Sequence, residues 1–105
     1  MTLYEKLTDE QTGVGIPVVY SHYDGKQDIK PPYIAYIGNG QDNFKADNTY
    51  YHNENRYQIE YYYTLKDESI EANIEKCLLD NGLRYDKSED VYIEDQNIFV
   101  IYYQV

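Results

Sequence analysis

With 105 residues the chain has room for one domain around one buried core and not for a second. Nineteen acidic against nine basic residues give a formal charge of −10, leaving few cations to neutralise phosphates, which argues against a dedicated or sequence-specific nucleic-acid binder. No apolar run approaches the roughly 20 residues that span a bilayer, and the opening MTLYEKLTDE has neither region of a signal peptide, so synthesis in a cytosol and no membrane partner are expected.

Fifteen residues are Tyr and none is Trp. A tyrosine brings a large apolar ring and a hydroxyl that wants a partner, so it suits half-exposed sheet faces and protein interfaces. It also simply populates strands.

In chain order, Thr2-Leu3-Tyr4-Glu5 is a capping-box pattern, and Leu3 with Leu7 marks one face of a short helix ending by Thr12-Gly13. Gly15 to Tyr20 reads as a short strand, which Pro17 places at an edge or a strand start because proline has no amide to donate. After a polar stretch with its turn at Asp24-Gly25, Tyr33-Ile34-Ala35-Tyr36-Ile37 reads as a strand covered partly on both faces, ended by Gly38-Asn39-Gly40.

Residues 41–55 form a polar connection carrying Phe44, Tyr50 and Tyr51. A connection that long in a small domain is usually either functional or mobile, and these aromatics are the leading interaction candidates.

Residues 56–82 organise the rest. Tyr57, Ile59, Tyr61, Tyr63 and Leu65 alternate with Arg56, Gln58, Glu60, Tyr62 and Thr64, the period of a strand with one buried face. Tyr62 is the one aromatic on the other face, and it joins the interaction candidates. Ile70, Ile74, Cys77 and Leu78 then make a single apolar stripe on a helix, with Glu75 expected on the opposite, solvated side. Asp67 is its cap, Glu68 and Glu71 favour its positive end, and Asn81-Gly82 supplies a left-handed stop. Val91-Tyr92-Ile93, the turn Glu94-Asp95-Gln96-Asn97 and the apolar run from Ile98 to Val105 make a closing hairpin. The fold class expected is α+β: a mostly antiparallel sheet with the helices packed on one face, in the order α-β-β-β-α-β-β.

Chemistry is sparse. His22 and His52 stand in separate loops without a Cys/His cluster of ligand spacing, so no metal is expected. No Ser or Thr sits in a nucleophile-elbow context, Cys77 belongs to the helix stripe, and the glycines match no phosphate or dinucleotide loop. Asp86, Glu89, Asp90, Glu94 and Asp95 read as a solvated acidic hairpin, since they lack the spacing of calcium ligands. No cofactor, catalytic residue or enzymatic activity is expected.

Several stretches in succession carry a resemblance: Ile16-Pro17-Val18-Val19-Tyr20, Pro32-Tyr33-Ile34-Ala35-Tyr36, Asp42-Asn43-Phe44-Lys45-Ala46-Asp47-Asn48 with Tyr50, Tyr57-Gln58-Ile59-Glu60-Tyr61-Tyr62, and Lys66-Asp67 opening an acidic helix. In this order they resemble the small tail-terminator or head-tail joining proteins of phages and prophages of Gram-positive bacteria. The resemblance implies a subunit that pairs with itself in a ring, of six copies, stops tail-tube growth and meets the tail-tube and head-connector proteins. It implies a place at the tail-head junction of the virion and, before assembly, in the host cytoplasm. Two alternatives stand beside it: a tail- or head-completion protein of the same module, and a soluble acidic module that engages a basic partner or mimics DNA charge.

Overall fold

A computed structural model of the chain describes residues 2–20, 29–43 and 53–105. Helix α1 is Leu3–Thr8. Its capping box is formed: the Glu5 amide donates to Thr2 Oγ1 at 3.1 Å, and the Thr2 amide donates back to Glu5 Oε1 at 3.3 Å. Leu3 and Leu7 are buried, as their spacing requires.

Six strands form one sheet: β1 (Val18–Tyr20), β2 (Tyr33–Asn43), β3 (Asn53–Tyr63), β4 (Asp86–Lys87), β5 (Val91–Ile93) and β6 (Ile98–Gln104). Their spatial order is β1-β2-β3-β6-β4, with β5 also paired to β6. Among the described strands only β1 and β2 run parallel. Pro17 precedes β1, which lies at an edge, where a missing amide costs no ladder bond.

Helix α2 (Glu68–Asp80) starts where Asp67 Oδ1 accepts from the Ser69 amide at 3.0 Å. It stops in a Schellman arrangement: the Leu83 amide donates to the Leu78 carbonyl, the Gly82 amide to the Leu79 carbonyl, and Gly82 takes φ 75°. Leu7, Ile74, Cys77 and Leu78 pack with Ile34, Ile59, Tyr61, Ile101 and Tyr103 into the main core, so both helices cover the same sheet face. Each fully buried apolar side chain there contributes about 1.5–3 kcal/mol. Cys77 is a core residue, its thiol donating to the Lys6 carbonyl at 3.3 Å, and burial raises its pKa.

The architecture is α+β, mostly antiparallel and helix-covered on one face, in roughly the expected order. Four details differ. The two-residue β4 joins the sheet where a charged loop was expected, because Ser88 keeps the edge in register with β6: its amide donates to the Tyr102 carbonyl and its hydroxyl accepts from the Tyr102 amide at 2.9 Å. Leu65 continues the alternation on paper but is 83% exposed, because β3 ends at Tyr63 and the chain turns there toward the Asp67 cap. Gly38-Asn39-Gly40 does not end β2; a register shift between Gly38 and Gln41 absorbs one extra residue as a bulge, and the strand runs on to Asn43. Glu75 does not face solvent but reaches the sheet, as described below.

Candidate assembly interface

β2 and β3 are each 11 residues long, far longer than the strands beside them. β1 pairs β2 only over Ile34, Ala35 and Tyr36, with one further bond from the Ile34 amide to the Pro17 carbonyl. On the other side β6 pairs β3 from Gln58 to Tyr63, extended by reciprocal backbone bonds between Tyr57 and Val105. Residues 41–43 and 53–55 therefore pair only with each other among the described strands, as the outer part of a two-stranded arm. A lone hairpin is marginal in water and gains stability from a third strand or a covering surface.

At the base of this arm, on the helix side, three tyrosines gather around a fourth, Tyr36. Tyr36 meets Tyr20 edge-on at 5.1 Å, Tyr57 at 6.0 Å and Tyr4 at 6.5 Å between ring centroids. Tyr4 and Tyr20 are about half exposed, and burial together with the neighbouring hydroxyls raises the Tyr36 pKa.

The helix-free face is built from the alternate positions. Tyr62 stacks on Tyr33 with centroids 4.9 Å apart, and its hydroxyl donates to Glu60 Oε1 at 2.7 Å. Gln58 donates to Glu60 Oε2 at 3.2 Å, and Gln104 donates to Gln58 at 2.7 Å. Burial and the Glu60 carboxylate push the Tyr62 hydroxyl far above the usual tyrosine pKa. Val100, which pairs with Tyr62, is fully buried although neither α1 nor α2 covers this side. A shallow cleft of about 450 Å³ lies between Gln58, Glu60, Asp86, Ser88, Tyr102 and Gln104.

Of the four residues singled out by sequence, Tyr62 stands on this open face, while Phe44, Tyr50 and Tyr51 lie outside the described residues, as do His22 and His52. The connection around those aromatics is shorter than its polar composition suggested, since its two ends are strand as far as Asn43 and from Asn53.

A second constellation, on the helix side, was not anticipated. Glu71 is 4% exposed; its Oε2 has no hydrogen bond of good geometry, and its charge is met by Lys66 Nζ at 2.8 Å. Its Oε1 pairs with Lys87 Nζ at 3.0 Å, and Lys87 also reaches Glu75 Oε2 at 2.9 Å. Glu75 accepts hydrogen bonds from the hydroxyls of Tyr103 at 3.0 Å and Tyr85 at 3.1 Å. Lys66 further pairs with Asp90 at 2.9 Å, and the Tyr63 hydroxyl donates to the same carboxylate oxygen. Burial works to raise the Glu75 pKa, but the bonds from Lys87, Tyr103 and Tyr85 outweigh it and the net shift is downward. Asp90 is lowered by Tyr63 and Lys66. Burial, with Glu71 close by, pushes Tyr61 up to about 12, and its buried hydroxyl has no hydrogen-bond partner among the described residues.

Glu71 and Glu75 stand at i and i+4, one position beyond Ile70 and Ile74 on the helix surface. That flank, next to the apolar stripe, was the sequence signal for carboxylates that reach under the helix. Among the described residues no three His, Cys, Asp or Glu side chains could hold a metal ion, and no helix is long and apolar enough to cross a membrane. Comparison with protein-family models, with curated proteins and with solved structures found no match to this chain.

Proposed function

We propose that this protein is a structural subunit of a phage or prophage head-tail junction, a tail-terminator-like protein that closes into a ring with copies of itself, ends tail-tube growth and joins tail to head. The observation that carries this reading is the two-stranded arm, which extends past both neighbouring strands and has no third strand beside it among the described residues. A second copy supplies the missing surface, and repetition of that contact around an axis closes a ring. The sheet edges are poorer candidates for self-pairing. β1 has three residues and follows Pro17; β4 and β5 have two and three, separated by the Ser88 irregularity and flanked by Glu89, Glu94 and Asp95. Short, bulged and charged edges discourage strand addition. The role is mechanical, with no catalysis.

The test removes the arm. Residues 41–55 are replaced by Asn-Gly, a two-residue hairpin turn, and mass is measured by light scattering after size exclusion over a concentration series. The wild type is expected to form a ring-sized oligomer visible by electron microscopy, and the shortened chain a folded monomer. A wild type that remains monomeric throughout, or an arm-less variant that assembles equally well, overturns the proposal. A monomer that retains a basic DNA-binding protein would favour the acidic binding module.

A further inference from the structure

Residues 86–93 form the outer edge of the sheet beside β6, and none of their side chains belongs to the main core. The edge has five ladder pairs, and Val91 and Tyr92 are exposed. Its ties to the helical layer are ionic. Lys87 crosses to Glu71 and Glu75 of α2, and Asp90 crosses to Lys66 at the β3–α2 junction. Both lysines meet on the carboxylate of the buried Glu71, along a cleft of about 360 Å³ that Glu68 and Ala72 also line.

We propose that this cluster is an ionic latch, which holds the 86–93 edge against α2 at neutral pH and releases it, with the rest of the sheet intact, when Glu75 and Asp90 take up protons. The groups facing it come from every neighbouring element: Tyr61, Tyr63 and Lys66 from β3 and its end, Glu68, Glu71 and Glu75 from α2, Tyr85 and Lys87 from the β4 approach, Asp90 before β5, and Tyr103 from β6.

The direction follows from linkage. Asp90 and Glu75 hold their protons less tightly in the folded chain, so the stabilisation they supply is complete above the ordinary carboxylate range and is lost as pH falls through their lowered values. The lysine pKa values are raised, Lys66 by its bonds to Glu71 and Asp90, and Lys87 by Glu75 and Glu71 against the effect of burial. The lysines therefore stay charged through this window, while Glu75 and Asp90 lose the charges that hold Lys87 and Lys66. Release is local because β3 and the inner part of β6 are held by apolar packing that does not titrate at acid pH.

Hydrogen exchange on the full chain tests the latch, with the Ser88 amide, which donates to the Tyr102 carbonyl at 2.8 Å, as reporter. Between neutral pH and about pH 2, well below the ordinary carboxylate range, protection factors over 86–93 are expected to fall roughly tenfold or more while Ile59 to Tyr61 keep theirs. Glu71→Gln should produce the same local loss at neutral pH, and Lys87→Met provides a second variant that leaves the buried carboxyl in place. Simultaneous loss over 86–93 and β3 in the wild type, or full protection of 86–93 in both variants, overturns it. Neither result depends on whether the chain forms rings.

Discussion

The Tyr103 hydroxyl donates a 3.0 Å hydrogen bond to Glu75 Oε2, tying the middle of α2 to a β6 residue with no solvent exposure. Removing the carboxylate leaves that hydroxyl, and that of Tyr85, without its acceptor. Glu75→Ala is therefore expected to cost about 1–3 kcal/mol, the penalty for stranding a buried polar group. Ile74→Ala on the same helix opens a core cavity and should cost about 2–5 kcal/mol. Urea melts of the two variants check both; a Glu75→Ala loss well below 1 kcal/mol would mean that the helix is rotated away from the sheet.

Several tyrosines resist ionisation. Burial, joined by nearby carboxylates, pushes Tyr61 and Tyr63 up to about 12 and raises Tyr103 further. The folded chain keeps these protons where the unfolded chain, near pKa 10, gives them up. Their contribution to stability is thus full below about pH 10 and declines as pH rises toward the folded values. Ultraviolet titration of tyrosinate should show these rings ionising only as the fold is lost, with the urea midpoint dropping over the same interval. Complete tyrosinate formation near pH 10 in a still-folded chain would contradict the burial described.

Gly13 and Gly15 separate two backbone effects. A Cβ on Gly13 would come 2.4 Å from the Asp9 carbonyl oxygen and 2.5 Å from that of Leu7, in a turn the chain needs after α1. Gly15 has open space but φ 76°. Gly15→Ala is expected to cost about 1–2 kcal/mol, the left-handed penalty, and Gly13→Ala appreciably more, since two carbonyls must move. Thermal melts giving the reverse order would refute the placement of that turn.

Tyr62 can be tested for its own role. Tyr62→Phe keeps the stack on Tyr33 and forfeits the bond to Glu60, for about 0.5–1.5 kcal/mol. Tyr62→Ala loses the stack as well and uncovers Val100, so monomer stability should fall further, by about 2–4 kcal/mol in total. If assembly weakens while the monomer melt stays unchanged, Tyr62 is an interface anchor and not the cover of its own sheet face.

The elements legible from sequence were those whose side chains repeat with a period: the Tyr57 to Tyr63 alternation, the Ile70 to Leu78 stripe, and the capped ends at Thr2, Asp67 and Gly82. What escaped was set by long-range partners. Leu65 obeys the strand period yet lies past the last ladder bond, and nothing local marks where β6 stops pairing. Glu71 and Glu75 look like surface acids until Lys66 and Lys87 arrive from 5 and 16 residues away to pair with Glu71. The bulge at 38–41 hides for a similar reason, because Gly-Asn-Gly suits a turn and an irregular strand alike.

The position of β6 bears on how the molecule is made. It is an interior strand, yet it pairs with β3 across some forty residues of intervening chain, Tyr63 meeting Phe99 and Gln58 meeting Gln104. Until β6 emerges from the ribosome, β3 presents a bare tyrosine-rich margin to its surroundings. Such delayed closure slows folding and favours wrong pairings between nascent chains. The chain's strong negative charge opposes those encounters during that interval, keeping half-made neighbours apart until the sheet is complete.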